Sequence, residues 1–520
     1  MTFAITGLPS SFRVPITAAE IVMGQGASNA PLGARDTIYV GPMLASGAAA
    51  AASTVYEIGS EAEAIELFGA GSPLHRALRM HIRANKNGRV YACAYAPSSG
   101  DGLDVATEDI TITGTATGTG RIILEAAGDL IEIGYKKGDG ASDLGDILEA
   151  KINALTHLPF EATNTAGVVA ADAKVAGASQ NGIHRIRVVS VTPGTGITVD
   201  VGGSASATLS GGVDGATTER SNYQAALAAL AASTHYYIAI TTNVSDFVDD
   251  LKAHVAAKNE PNPGILCKGM VAMVDSLANA ATIAIAQNSE LVDIVWQRNS
   301  RHSPDEVLAN WVAIRQKHEN TLDNNATESV FNFDNYAGAD WFIKPAPDQA
   351  DWPDLDDQND AINDGITPIA STQTGSYIVM SVNTRSKDST GSLDDFRAAE
   401  THRLSALHCL VGTIKTNHRL TFTNFKQQDD PRLPDGSVDL NAIGRLPPRT
   451  TVPFTFRSWF LNQLEPFFLG GKLQRRDEWE EATEVRIDPQ NSGRMQVRTA
   501  GRTIDLHHQA TFRISETTPN

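Results

Sequence analysis

One complete strand–helix–helix–strand unit is encoded by residues 54–96, TVYEIGSEAEAIELFGAGSPLHRALRMHIRANKNGRVYACAYA. Residues 55–58 and 90–95 contain β-branched and aromatic side chains, which favour strands at both ends of the unit. Between them, Leu74, Leu78 and Ile82 recur at the spacing of one helix face. The stretch therefore predicts an α/β fold, and no catalytic residue type is conspicuous in it.

The two helices of this unit carry clear boundary signals. Ser60 and Ser72 can each cap a helix start, and Pro73 is tolerated in a first helical turn. Gly69 and Gly71 end the first helix, because glycine readily adopts the left-handed backbone of a helix exit. We therefore predict two helices separated by a glycine-rich break.

Strand–helix alternation returns after Glu219 and continues to about Lys317. The predicted strands are 236–240, 264–274 and 291–296, and the predicted helices are 223–232, 245–258 and 277–287. Ser303, followed three residues later by Glu306, forms a capping-box pattern that begins a further helix. Alternation of this length predicts a parallel-sheet core with helices on both faces.

The downstream part of the chain contains further elements. Residues 366–370 and 377–382 flank a turn and predict a hairpin. A helix is predicted from 393 to about 410. The aromatic-rich stretch 454–469 is predicted to pack into a core as a helix or a pair of turns.

Residues 98–215, called the insertion below, differ in composition from their surroundings, because Thr, Gly, Val and Ala dominate. Short β-prone runs between glycine turns predict strands at 110–113, 121–124, 130–133, 183–189 and 197–201. One helix is predicted at 142–155. This pattern is typical of a small, mostly-β domain inserted into a larger α/β domain.

These patterns predict five segments. Residues 1–30 form an extended N-terminal arm, residues 31–97 and 216–415 form a discontinuous α/β core, and residues 98–215 form the insertion. Residues 416–520 form a C-terminal domain that ends in a β-hairpin arm.

The last segment contains a long period-two pattern. One side of the predicted strand carries Ile504, Leu506, His508, Ala510, Phe512 and Ile514. Residues 494–498 and a turn at 500–501 complete a predicted hairpin with it. A long terminal strand promotes aggregation unless it is paired, and pairing with another subunit is one solution.

Composition limits the function classes. The chain has 60 acidic and 42 basic residues and a formal charge of −18, which argues against direct nucleic-acid binding and against binding to anionic membranes. No apolar run approaches the ~18 residues needed for membrane insertion. Three widely spaced cysteines predict buried thiols in a reducing compartment. The first basic residue is Arg13, so no secretory signal is predicted.

Enzyme signatures are absent from the sequence. It contains no nucleophile elbow, Walker loop, His-Glu-x-x-His motif or dinucleotide-binding glycine motif. Seven aspartates in 345–365 lack the glycine of a calcium loop and are interpreted as a solvated acidic loop. His507 and His508 point to opposite faces of a strand and cannot share a metal. We therefore expect no enzyme activity, no cofactor and no metal.

Three stretches resemble the tail sheath proteins of contractile bacteriophages, most closely the phage Mu-type branch. They are SEAEAIELFGAGSPL with the helix after it, the strand RVYACAYA, and residues 366–384. The opening residues 5–15 are also similar to the start of such proteins. The resemblance implies a subtilisin-like fold of the core without subtilisin's catalytic residues.

The resemblance further implies a virion structural protein that assembles in the host cytoplasm and resides in the virion tail. Subunits would form hexameric rings, stacked helically around a tail tube protein between the baseplate and the tail terminator. Tail contraction would drive the tube through the host envelope for genome ejection. Neighbours would be joined by β-strand addition through an N-terminal arm containing Phe12, Arg13, Val14 and Ile21, and through the Ile504–Ile514 strand.

Two alternatives remain open from the sequence. The first is a sheath subunit of a bacteriocin or a secretion-type contractile machine. The second is an α/β ligand-binding or hydrolytic protein, whose site would lie at the carboxyl edge of the parallel sheet. Convergent polar residues in a pocket would distinguish the second alternative, and no motif predicts them.

Overall fold

The computed structural model describes residues 35–261, 264–320, 338–388, 391, 400–469 and 473–503. These residues fall into two compact units, the larger ending at Leu404 and the smaller beginning at Ser405. Both predicted arms, including Phe12, Arg13, Val14 and Ile21 and the Ile504–Ile514 set, lie outside the described residues.

The larger unit opens with the strand–helix–helix–strand unit predicted from the sequence. Its elements are β1 (Thr37–Pro42), β2 (Val55–Ile58), α1 (Glu61–Phe68), α2 (Pro73–Ala84) and β3 (Val90–Tyr95). The side chains of Ser60 and Ser72 accept hydrogen bonds from Glu63 N and His75 N, so both predicted caps are confirmed. Gly69 ends α1 with a φ of 84°.

The insertion follows β3 and is mostly β. Its elements are β4 (Thr107–Gly114), β5 (Gly120–Ala126), β6 (Asp129–Tyr135), α3 (Ala141–Ala154), β7 (Phe160–Thr165), β8 (Val168–Ala173), β9 (Arg185–Val191), β10 (Ile197–Val201) and β11 (Ser206–Thr208). They form two four-stranded antiparallel sheets, ordered β10-β4-β8-β7 and β11-β9-β5-β6. One apolar cluster contains residues of both sheets and of α3, so the insertion has a core of its own.

After the insertion the chain returns to the large sheet. The elements are α4 (Glu219–Ala229), β12 (Tyr237–Ile240), α5 (Ser245–Asn259), β13 (Lys268–Met273), α6 (Leu277–Gln287), β14 (Val292–Trp296), α7 (Pro304–Asn320), α8 (Leu355–Asn363), β15 (Thr367–Thr372) and β16 (Gly375–Ile378). The helix predicted at 223–232 begins earlier, because Thr218 caps it by accepting a hydrogen bond from Ser221 N.

The large sheet has eight strands in the order β16-β15-β14-β13-β12-β1-β3-β2. The six central strands are parallel, whereas β2 and β16 pair antiparallel at the two edges. Ile38 and Val40 of β1 pack in one cluster with α4, α5 and α6, and Tyr39 packs in another with α1, α2 and α7. The predicted parallel core with helices on both faces is therefore confirmed.

The smaller unit combines helices with short sheets. Its elements are α9 (Thr401–Thr421), which begins in the larger unit, β17 (Lys426–Gln427), α10 (Leu440–Ile443), β18 (Thr450–Thr451), α11 (Pro453–Leu469), β19 (Leu473–Gln474), α12 (Arg476–Ala482), β20 (Glu484–Asp488), β21 (Asn491–Arg498) and β22 (Arg502–Thr503). Phe460, Leu464 and Phe467 of α11 pack with Trp479 in its core, as predicted for this aromatic stretch.

Three local predictions are wrong. The supposed acidic loop contains α8, because Asp354 caps a helix by accepting a hydrogen bond from Asp357 N. Glu306 does not complete a capping box; its carboxylate lies 3.2 Å from His302 Nδ1 and 3.9 Å from Arg76. The helix predicted to end near residue 410 continues to Thr421.

Part of the predicted C-terminal hairpin lies within the described residues. Residues 494–498 belong to β21, which pairs with β20, where Val485 lies opposite Val497. Arg502 and Thr503 form β22, which pairs with β19. The predicted strand at 504–514 lies outside the described residues, so its pairing with residues 494–498 stays a prediction.

Candidate functional site

The carboxyl edge of the parallel sheet is where a ligand would bind in a doubly wound protein. The loop after β14 supplies its main polar side chains. Gln297 Nε2 donates to Lys344 O at 2.9 Å, Ser300 Oγ donates to Gln297 Oε1 at 2.6 Å, and Asn299 Nδ2 donates to Asp351 Oδ1 at 2.7 Å. These groups are used in bonds within the protein.

The insertion packs against the same loop. Arg301 Nη1 lies 2.5 Å from Glu125 Oε1, and Arg185 Nη2 donates to Asn299 Oδ1 at 2.5 Å. A Cβ atom on Gly128 would lie 2.7 Å from the His302 ring, so the turn between β5 and β6 fits closely here. The insertion thus lies against part of the edge that the enzyme or ligand-binding alternative requires.

The chain passes between the large sheet and the insertion twice, and these two adjacent segments form the neck. Ser99 and Thr217 pair in an antiparallel bridge, and Ser98 Oγ donates to Thr217 O at 2.9 Å. Tyr95, at the end of β3, donates its hydroxyl to Glu219 Oε1 at 3.0 Å. Burial raises the pKa of Glu219 to about 7, despite the hydrogen bonds from Ser179 and Tyr95.

The opposite, amino edge of the sheet contains a buried polar group of six residues, called the amino-edge cluster below. Its members all have side chains at most 2% exposed: Arg35, Lys268, Asp293, Arg315, Glu319 and Thr401. Glu319 has 7% of its whole-residue surface exposed, but its side chain is only 1% exposed.

Asp293 is the hub of the amino-edge cluster. Its Oδ2 atom lies 2.6 Å from Lys268 Nζ and 2.5 Å from Arg315 Nη1, and Thr401 Oγ1 donates to it at 2.6 Å. Lys268 also donates to Thr401. Arg315 Nη2 lies 3.5 Å from Glu319 Oε1, and Glu319 forms an ion pair with Arg35. The contacts form one connected network.

Electrostatics within the cluster follow from its burial. Burial and the charge of Arg315 lower the pKa of Lys268 to about 7, although Asp293 opposes the shift. Burial alone would raise the pKa of Asp293, but the charges of Lys268 and Arg315 outweigh it and lower that pKa. Within the described residues these side chains are buried, and their contacts hold separate segments of the chain together.

The sequence contains a signal for this cluster that motif searching misses. Lys268 and Asp293 are charged residues within the otherwise apolar strands KGMVAM and VDIVW, and Arg315 lies in the apolar stretch WVAIRQ. A charge within a buried strand requires a partner. Which residue becomes that partner depends on the order of the strands in the sheet, and a sequence motif does not specify this order.

The cysteines are free and buried, as predicted, at Cys93, Cys267 and Cys409. Burial raises the pKa of the Cys93 thiol to about 11 and that of Cys267 to about 12. These two thiols are therefore protonated at neutral pH and are poor nucleophiles.

Metal and membrane sites are not seen in the described parts of the chain. Among those residues, no group of three or more His, Cys, Asp or Glu side chains is arranged to hold a metal ion. Likewise, none of the described helices combines the length and apolarity of a membrane span.

Within the described residues, β20 and β21 pair with each other in one antiparallel hairpin. The intersubunit strands predicted from the sequence lie outside these residues, so strand addition stays a prediction.

The fold and these sites define an α/β protein with a β-rich insertion and buried structural ion pairs. Over 185 residues, 35% of this chain, it is 29% identical to the Mu-like prophage FluMu tail sheath protein of Haemophilus influenzae. The match spans 37% of that relative's length. This similarity supports the resemblance to phage tail sheath proteins found from the sequence motifs.

A solved sheath tail protein from Desulfitobacterium hafniense is also similar, with a TM-score of 0.45 and 14% sequence identity. The alignment covers 93% of this chain and 100% of that one. Likeness at this level does not bear on function. No protein-family model matches the chain.

Proposed function

We propose that this chain is a structural subunit of a contractile phage tail sheath. The observation that carries the proposal is the similarity over 185 residues to a Mu-like prophage tail sheath protein. The contacts of the insertion along the carboxyl edge of the sheet favour this role over an enzyme or ligand-binding protein. We also propose that the chain has no enzyme activity.

In this proposal the subunits form hexameric rings stacked helically around a tail tube protein, between a baseplate and a tail terminator. Contraction of the stack drives the tube through the host envelope. The subunit assembles in the host cytoplasm and resides in the virion tail.

Neighbouring subunits are joined by strand addition. The N-terminal arm with Phe12, Arg13, Val14 and Ile21, and the Ile504–Ile514 strand, of one copy each add as a strand to a neighbouring copy. Each added strand contributes about five backbone hydrogen bonds, worth roughly 1 kcal/mol net apiece. Repetition over many copies converts weak joints into a stable lattice.

The first test is negative-stain electron microscopy of the purified full-length protein at high concentration. We expect hollow tubes with regular striation, formed alone or on added tail tubes. A truncation after Thr503 keeps the pairing of β22 with β19 and removes the terminal strand; we expect it to remain unassembled. Wild-type protein that neither forms tubes nor decorates tail tubes would contradict the sheath role.

A matched pair of variants tests strand addition. Leu506→Lys with Phe512→Lys places two charges on the apolar side of the terminal strand and should abolish tubes. His507→Lys with Thr511→Lys adds the same charge to the opposite side and should preserve them, because successive side chains alternate between faces. Equal loss in both variants would argue against a strand with one buried face.

A further inference from the structure

Three members of the amino-edge cluster stand where the chain leaves the larger unit. Arg35 directly precedes β1, Glu319 lies in the last turn of α7, and Thr401 is the first residue of α9. The larger unit ends three residues after Thr401, at Leu404. The other three members, Lys268, Asp293 and Arg315, belong to the sheet and to the preceding turn of α7.

We call the chain segments at Arg35, Glu319 and Thr401 the three exits. We propose that the amino-edge cluster is a clasp that fixes the three exits to one another and to the parallel sheet, so that they respond as one body. The proposal concerns the larger unit alone.

The contacts themselves argue for coupling. Thr401 reaches the sheet through both Asp293 and Lys268, and Arg315 Nη2 donates to Thr401 Oγ1 at 3.2 Å. Arg315 is in turn 3.5 Å from Glu319, the ion-pair partner of Arg35. A path of direct polar contacts therefore joins all three exits, with Arg315 common to each branch.

Packing around Arg35 strengthens its part of the clasp. The guanidinium lies 4.0 Å from the centroid of the Tyr236 ring, and Nη1 donates to the Tyr237 hydroxyl at 3.5 Å. Tyr237 pairs in register with Thr37 of β1. Arg35 is thus bound to the neighbouring strand as well as to α7, and its displacement would disturb both.

Burial explains why the cluster would act as a unit. Losing one polar partner in a water-excluded network leaves the remaining charges without compensation, so the cost is shared by all the contacts that remain. We therefore expect a break at one of these positions to weaken the hold on the other two.

If the proposed sheath role is correct, the clasp has a mechanical purpose, and this step rests on that role. Tension on the N-terminal arm would enter the parallel sheet at Arg35, and the start of α9 would be held by the same sheet. The clasp would pass force between arm and subunit body without unfolding β1.

Hydrogen exchange of the full-length protein tests the clasp. Thr401→Val removes the hydroxyl while keeping the side chain's shape. We expect amide exchange to increase by at least about tenfold, the factor for loss of one hydrogen bond to a charged group, because the hydroxyl bonds to Asp293, Lys268 and Arg315. The increase should occur in the first turn of α9, the last turn of α7 and residues 35–38 together.

A substitution at the other end of the clasp tests whether the coupling acts in both directions. Arg35→Lys keeps the charge but loses the planar contacts, and coupling between sites must act equally in both directions. It should therefore increase exchange at the start of α9. The matched control is Thr195→Val, another buried threonine whose Oγ1 lies 2.6 Å from the Tyr135 hydroxyl within the insertion. It should leave all three exits unchanged.

The outcomes separate the possibilities. An increase confined to the substituted exit, or one spread uniformly over the large sheet, would overturn the clasp. If Thr401→Val does not fold, hydrogen exchange at the start of α9 in the Arg35→Lys variant is sufficient to test the clasp. Exchange is measured on the isolated chain, so failure of tube formation would count against the sheath role and leave the test of the clasp intact.

Discussion

Glu219 is the buried carboxyl group at the neck between the sheet and the insertion. It is 1% exposed, and its pKa is raised to about 7 by burial, with a smaller contribution from Asp214. The Tyr95 hydroxyl donates to it, and this hydrogen bond partly opposes the shift. The folded neck therefore favours the protonated form of Glu219.

This residue should make folding pH-dependent. Because its pKa is higher in the folded than in the unfolded chain, its favourable contribution is complete below about pH 4.5 and is lost as pH rises to about 7. Glu219→Gln can still accept from Tyr95 and carries no charge. We expect it to gain up to about 3 kcal/mol in unfolding free energy at pH 8 and little at pH 4.5.

Urea denaturation of both proteins across this pH range provides the measurement. The difference between variant and wild type is the relevant quantity, since buried histidines contribute an opposite slope. His81 is one of these; burial lowers its pKa to about 4, so its contribution is lost as pH falls from about 6.5 to 4. A difference independent of pH would exclude a buried ionised Glu219.

Helix α2 depends on the cap provided by Ser72. Ser72 is fully buried and accepts from His75 N at 3.1 Å, whereas Ser60 caps α1 at an exposed position. We expect Ser72→Ala to lower the unfolding free energy by about 1–2 kcal/mol, since water cannot replace the lost bond. Ser60→Ala should cost less, and urea midpoints would compare them. Equal costs would show that burial of the cap is unimportant.

The elements that the sequence predicted best are those with local signals. Ser60, Gly69 and Ser72 specify the boundaries of α1 and α2 through their own backbone bonds. Strands β7 and β8, by contrast, were not predicted, because FEATNT and VVAADA contain Ala, Asn, Glu and Asp, which have low strand propensity. The two strands form a hairpin with a turn at 166–167, and β8 is further stabilised by pairing with β4, which is distant in the sequence.

The wrong prediction for the acidic stretch has a different, local cause. The aspartates of α8 were interpreted together as a charged loop, although Asp354 alone is a cap and the rest are exposed or partly exposed helix residues.

At the scale of the whole molecule, the insertion and the large sheet have separate apolar cores. Leu148 of α3 and Leu251 of α5 are both fully buried, one in each core. We expect Leu148→Ala to destabilise the insertion by about 2–5 kcal/mol and to increase hydrogen exchange in β5 and β6, with β12 and β13 unaffected.

Leu251→Ala is the matched control, with the opposite distribution of exchange between the two cores. Faster exchange throughout the larger unit in both variants would mean that the insertion and the sheet unfold together. In that case the polar contacts of Glu125, Arg185 and Gly128 would be sufficient to make them one cooperative body.

The amino-edge cluster shows why a site is harder to predict than a fold. The alternation of strands and helices predicted the parallel sheet, but the charged residues Lys268 and Asp293 within its strands were not recognised as a site. The contacts with Arg35 and Thr401 depend on the tertiary arrangement of positions as far apart as 35 and 401. No spacing in the sequence encodes such an arrangement.

The bridge between Ser99 and Thr217 makes the insertion an exchangeable module. Residues directly opposite in antiparallel strands have Cα atoms about 5 Å apart, so everything between them starts and finishes at nearly one point. A foreign domain whose termini are equally close can be grafted there, in place of the native one, without changing the path of β3 or α4. We expect such a replacement to leave the large sheet folded, because its described strands pair only with one another and not with strands of the insertion.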